Sequence, residues 1–153
     1  MRFGSRRAFT ALLLAAALLP SAWATTRARR MEVWKGPECG CCNDWIDHVQ
    51  AAGFSVKSYD TGNHEMRARL GLPVRYGSCH TAWIDGYVIE GHVPAREIER
   101  LLRERPEAIG LAVPAMPVGS PGMDGPEYRG RKDPYDVLLV RRDGRATVFQ
   151  SYR

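Results

Sequence analysis

No stretch of this sequence is long and apolar enough to cross a bilayer. The main apolar run, Ala11 to Leu19, falls short of the about 20 residues that a spanning helix needs. Nothing later comes closer, which argues against a membrane span in the mature chain. Internal repeats are also missing, and 153 residues suit one domain. Net charge is modest. It is +5 overall and +2 once Arg2, Arg6 and Arg7 are set aside, too little to mark nucleic acid as a partner. Cysteine is scarce as well: Cys39, Cys41, Cys42 and Cys79 are all there is. The paired second knuckle common in structural zinc sites is absent, because Cys79 stands alone. Two structural disulfides fit the spacing poorly. Cys41 and Cys42 are neighbours, whose bridge would be strained, and a Cys39–Cys42 bridge closes a loop too small to restrain the unfolded chain much.

What is present begins with an export signal. Residues 1–24 combine a basic start, the apolar run and the small-x-small site Ala22-Trp23-Ala24, so the expected mature chain runs from Thr25 to Arg153 as a single domain. Ser5-Arg6-Arg7-Ala8-Phe9 resembles a twin-arginine signal, and an ordinary secretion signal fits it too. Both lead out of the cytoplasm. In an oxidising compartment a group of thiolates calls for a metal or a redox cycle.

Patterning of the mature part alternates two periods. Thr25 to Arg30 reads as a loose tail, and Met31 to Lys35 alternates as a strand ended by Gly36-Pro37. Trp45, Ile46, Val49 and Ala52 recur at helical spacing up to Gly53, so the cysteines fall at a helix N-terminus. Phe54 to Tyr59 is a second strand, and Glu65 to Leu70 a short helix stopped by Gly71 and Pro73. Asp85-Gly86 marks a hairpin between Thr81–Ile84 and Tyr87–Glu90. A helix after Pro94 carries Ile98, Leu101 and Leu102. Ala108 to Pro134, rich in Gly and Pro, is expected to be an extended loop holding Met116 and Met123. A hairpin, Asp136–Val140 with Ala146–Phe149, closes the chain. The expected fold class is α/β and thioredoxin-like: a central mixed β-sheet flanked by helices, with the Gly/Pro-rich loop and the C-terminal β-hairpin. Trp34, Trp45 and Trp83 are expected to pack in the core.

Three cysteines within four residues, in Glu38-Cys39-Gly40-Cys41-Cys42-Asn43, carry the chemistry. A helix N-terminus offers unpaired N–H groups and a partial positive charge, both favouring thiolate. Thiolate is both a nucleophile and a ligand. Cys39 and Cys42 form a C-x-x-C pair suited to thiol–disulfide exchange, whereas Cys41 has no part in such exchange and suits a soft ion such as Cu(I) bridged by several sulfurs. Zinc and a disulfide scaffold stay open beside these. Cys79, in the lead-in to the third strand, is placed to complete the set; a small buried apolar residue is its other reading. His80 suits a ligand, a partner of a ligand, or a polar strand end. His48 lies about 10 Å along the helix from Cys41, too far to share an ion. His64 and His92 sit beside turns and are expected at the surface. Met116 and Met123 fit soft ligands or a flexible apolar plug.

Taken together, Glu38-Cys39-Gly40-Cys41-Cys42, Ser78-Cys79-His80-Thr81-Ala82, Asp85 to Pro94, and Gly110–Pro114 with Met116–Met123 resemble the CopG family of periplasmic copper-resistance proteins, long known as a domain of unknown function. The resemblance spans nearly all of the mature chain. It implies a thioredoxin-like fold binding copper as Cu(I) through Cys39, Cys41, Cys42 and Cys79, with a multinuclear cluster and copper redox chemistry as open extensions. It also implies a periplasmic location and other periplasmic copper-handling proteins as partners. Whether the chain is an enzyme, a store or a chaperone stays open. Ordinary thioredoxins place a cis-proline before the third strand, where this chain has Cys79-His80-Thr81, which weakens a general disulfide-exchange role based on Cys39 and Cys42.

Overall fold

The computed structural model describes residues 29–153; the signal segment 1–24 and most of the N-terminal tail lie outside the described residues. Arg30 is not part of that tail, because β1 (Arg30–Lys35) begins with it. Residues Met31, Val33 and Lys35 of β1 point to one buried face, as strand alternation requires. Lys35 reaches Asp60 from there at 2.7 Å. Trp34 points to the other face, where it is half-buried and stacks on Tyr59, so it is not the core residue expected.

α1 (Gly40–Ala51) buries Cys42, Trp45 and Val49, which fall on one stripe of the helix. Its end is a Schellman turn. Gly53, at φ +93°, donates to the Gln50 carbonyl, Phe54 donates to that of Val49, and Phe54 and Val49 both join the core. β2 (Ser55–Tyr59) then pairs parallel to β1, and α2 (His64–Arg69) follows. β3 (His80–Ile84) and β4 (Tyr87–Glu90) form the expected hairpin, with Asp85 and Gly86 both at positive φ as a tight primed turn needs. Pro94 caps α3 (Ala95–Glu104), which buries Ile98, Leu101 and Leu102 and ends with Arg105 in the left-handed region just before Pro106.

The stretch 108–134 holds one element that its composition hid. Gly110–Ala112 is a three-residue strand, β5, paired parallel to β4. A Cβ on Gly110 would fall 1.8 Å from the Val88 carbonyl oxygen, so only glycine lets the two strands close. β6 (Tyr135–Val140) and β7 (Ala146–Tyr152) complete the sheet as the C-terminal hairpin, longer than expected because Tyr135 stacks on Tyr152 at its open end.

Seven strands of the described residues lie in the order β2-β1-β3-β4-β5-β6-β7, the mixed sheet of an α/β fold. The larger core packs α1 and α3 on one face, around Trp45, Val49, Ile98 and Leu101. A smaller cluster of Leu72, Val88, Ala112 and Val140, with Trp83 against it, covers the other face. Antiparallel pairing of β1 with β3 sets Lys35 against His80, which brings the end of β1 and the start of β3 side by side. The cysteine turn follows the first, and Cys79 precedes the second.

Candidate metal centre

Cys39 is the N-cap of α1, and Cys41 and Cys42 lie in its first turn, which contains no acidic residue. The positive end of the helix dipole therefore faces sulfur alone. Helical periodicity turns Cys42 inward to full burial and leaves Cys41 on the rim. Cys39 and Cys42 are joined as a disulfide, while Cys41 and Cys79 are free thiols. The bridge that makes a poor staple does form, and it is the pair that C-x-x-C spacing offers to redox exchange.

Cys79 arrives from the other segment. Its sulfur lies 4.0 Å from that of Cys41, which is itself 3.7 Å from that of Cys39. All four sulfurs fall within 4.8 Å of one another. Burial, and secondarily the Cys41 sulfur, push the Cys79 thiol up to about 12, so it holds its proton throughout the neutral range.

The surface reading of His92 is overturned. Its side chain is completely buried, with Nε2 3.0 Å from the Cys79 sulfur. Gly91 causes this: at φ +68° it turns the chain after β4 back beneath Ser78, where a Cβ would collide with the Ser78 side chain and the Val113 carbonyl. The Pro121 carbonyl, 2.8 Å from Nδ1, can only accept, so Nδ1 carries the proton and Nε2 presents its lone pair to Cys79. Burial lowers the His92 pKa and keeps the ring neutral. A histidine anchored through one nitrogen to a carbonyl, with the other free toward sulfur, is the arrangement typical of a metal-site imidazole.

His80 is equally buried. Its Nδ1 lies 3.4 Å from the Cys79 sulfur, its ring packs on Trp45 at 4.3 Å, and its Nε2 has no hydrogen-bond partner among the described residues. Burial and the neighbouring His92 hold its pKa well below the usual value. Among the described residues, neither His48 nor His64 joins these groups. His48 accepts the Ala95 N–H at 3.0 Å, and His64 is exposed. Met116 is 48% exposed, and the Met123 sulfur accepts the Tyr128 hydroxyl at 3.4 Å. The loop carrying them does touch the centre. A Cβ on Gly122 would lie 2.5 Å from the Cys41 carbonyl oxygen, so this loop is pressed onto the first turn of α1. A cavity of about 410 Å³ opens beyond Pro121, lined by His48, Arg96, Tyr135 and Tyr152, and holds none of the cysteines.

The donors form two groups that share Cys79: four soft sulfurs, and Cys79 with the neutral imidazoles of His80 and His92. The first fits Cu(I), whose preferred ligands are thiolates, once the Cys39–Cys42 bond is reduced. Comparisons agree with this chemistry. A family described as a protein of unknown function, DUF411, matches residues 76–123, which contain Cys79, His80, His92 and the loop to Met123. Two solved structures are similar along most of the chain. "Copper resistance protein copG- Form 2" is 44% identical with a TM-score of 0.76, over 83% of this chain and 100% of its own. "Copper resistance protein copG- Form 1" is 45% identical with a TM-score of 0.75, over 82% and 98% respectively. No curated protein matches. With 44–45% identity over more than four-fifths of the chain, it belongs to the CopG family of copper resistance proteins.

Proposed function

We propose that this chain is an exported, periplasmic copper-handling protein whose reduced Cys39, Cys41, Cys42 and Cys79 hold Cu(I), with more than one ion bridged by the four sulfurs. The observation that carries this reading is the meeting of sulfurs from two distant segments within 4.8 Å, beside a neutral imidazole 3.0 Å from Cys79. The signal segment 1–24 would be removed, leaving 25–153 as one domain. A parallel β1–α1–β2 unit joined through β3 to an antiparallel β4, with a thiol turn after β1, supports a thioredoxin-like core. Within that core, the chain's own residues supply sulfur, exclude water around His80 and His92, and take up electrons at one bond. Reduction of the Cys39–Cys42 disulfide consumes two electrons and two protons and yields two thiols, so filling all four positions is coupled to redox state. Other copper-handling proteins of the same compartment would deliver or receive the ion.

The test is an anaerobic Cu(I) titration of the reduced mature protein. Cys41→Ser and Cys79→Ser should each lower the number of ions bound; unchanged stoichiometry in both would sink the four-sulfur site. The Cys39–Cys42 disulfide also favours a second reading, a thiol–disulfide oxidoreductase using only those two residues. It expects insulin reduction that survives Cys41→Ser and Cys79→Ser, and absence of turnover removes it.

A further inference from the structure

Beneath Cys79 lies a charged group that the sulfur chemistry does not use. Glu90 and Arg67 are 0% and 5% exposed and pair at 2.8 Å. Burying such a pair contributes little net stability, since apolar residues of similar volume often do as well. What the pair touches gives it another purpose. Glu90 Oε1 also accepts the Ser78 N–H at 2.7 Å, and Arg67 Nη2 donates to the Ser78 carbonyl at 2.6 Å. Asn63 Nδ2 donates to the same carbonyl at 3.1 Å and to Thr81 Oγ1 at 3.2 Å, and Thr81 in turn donates to Glu90 Oε2 at 2.6 Å. Ser78 Oγ donates to the Ala115 carbonyl.

Sheet pairing of β3 begins only at His80, so Ser78 and Cys79 have no ladder to hold them. Both main-chain polar groups of Ser78 are instead satisfied by side chains from α2 and β4. Cys79 is thereby fixed from one side by this brace and from the other by the sheet. Among the described residues, none of Asn63, Arg67, Thr81 and Glu90 hydrogen-bonds a sulfur.

We infer that Arg67 and Glu90, assisted by Asn63 and Thr81, are positioning residues that hold the Cys79 sulfur within reach of the α1 sulfurs. As a statement about copper this rests on the function proposed above; as a statement about geometry it stands alone. Two readouts separate them.

The first needs no metal. In a Cys39→Ser/Cys42→Ser background, equilibration with glutathione measures how readily Cys41 and Cys79 join. Glu90→Gln and Arg67→Met should each lower that effective concentration about tenfold, the low end for lost positioning contacts. The second is competition for Cu(I) against a chromophoric chelator, where the same substitutions in the otherwise native protein should weaken binding about 10- to 100-fold. They should add nothing further in a Cys79→Ser background. Ile98→Val, a core change on α3 away from the brace, serves as the destabilised control and should alter neither readout. If Glu90→Gln fails to fold, Asn63→Ala removes one neutral donor and should give a smaller shift in the same direction. Readouts within twofold of the parent, equal losses in Ile98→Val, or continued losses without Cys79 would each overturn the inference. A wild-type protein that binds no Cu(I) while the disulfide readout still responds would overturn the copper reading and leave the brace intact.

Discussion

The sulfurs of α1 and the sulfur of Cys79 reach one place by different physics. Cys39, Cys41 and Cys42 are set by local geometry: the Gly36-Pro37 turn, a backbone bond from Cys39 to Gly36, and the repeat of the helix, with apolar Trp45 and Val49 beneath. Cys79 is set by side chains that α2 and β4 bring to it, with Thr81 of its own strand, and its support is polar: Asn63, Arg67, Thr81 and Glu90. The contrast teaches that half of the centre forms whenever α1 forms, while the other half exists only once α2, β3 and β4 have assembled. The centre is therefore complete only in the fully folded chain.

Trp45 is the residue whose loss should break both halves at once. It is 0% exposed, donates from Nε1 to the Val93 carbonyl at 2.9 Å, and carries the His80 ring. Trp45→Ala should cost about 4 kcal/mol, as large aromatic truncations in cores do, read from urea denaturation of the reduced protein. A cost below about 1 kcal/mol, typical of a tolerated surface change, would deny that the two halves share this support. Gly122→Ala should act first on the α1 half, reaching the Cys79 half only through the neighbouring Pro121 carbonyl that anchors His92. Its φ of +81° and the contact its Cβ would make with the Cys41 carbonyl oxygen leave the loop no choice but to lift. The expected cost is about 2 kcal/mol of stability, in the range for overpacking. Glutathione equilibration of Cys39 with Cys42 should shift in this variant while the hydrogen-exchange protection of the Ser78 amide stays as in the parent.

The same contrast explains what the sequence could disclose. Period-2 and period-3.6 patterns, Gly53, Asp85-Gly86 and Pro94 mark β1, α1, the β3–β4 hairpin and α3 because each signal is local. β5 was hidden, since three residues carry no period and Gly110 reads as a loop residue until Val88 lies against it. Of the candidate site, the meeting of the four sulfurs was legible: three from spacing, and Cys79 from the chain order that returns β3 to the end of β1. His92 was misplaced, because its inward course depends on Gly91 passing under Ser78, a tertiary contact with no local signature. Arg67 and Glu90 were invisible for a related reason. A charged residue in a short helix and another at a strand end look solvated until burial pairs them.

The smallest predicted effect is also the sharpest test of the Cys79 half. Its thiol, raised to about 12, remains protonated from about pH 6 to about pH 9, yet a metal binds only the thiolate. Each Cu(I) complex that includes Cys79 must then release one proton from it throughout that window. Apparent affinity should accordingly rise with pH, Cys79 contributing about one decade per pH unit, or about 1.4 kcal/mol. His92 adds nothing to this slope near neutrality, because its lowered pKa leaves the ring already neutral and its Nε2 lone pair already free. Anaerobic Cu(I) competition at a series of pH values reads the slope directly. Cys79→Ser should reduce it by about one while leaving the part due to α1 in place. A slope that does not change on removing Cys79 would put its sulfur outside the copper-binding set and return the chemistry to the helix turn alone.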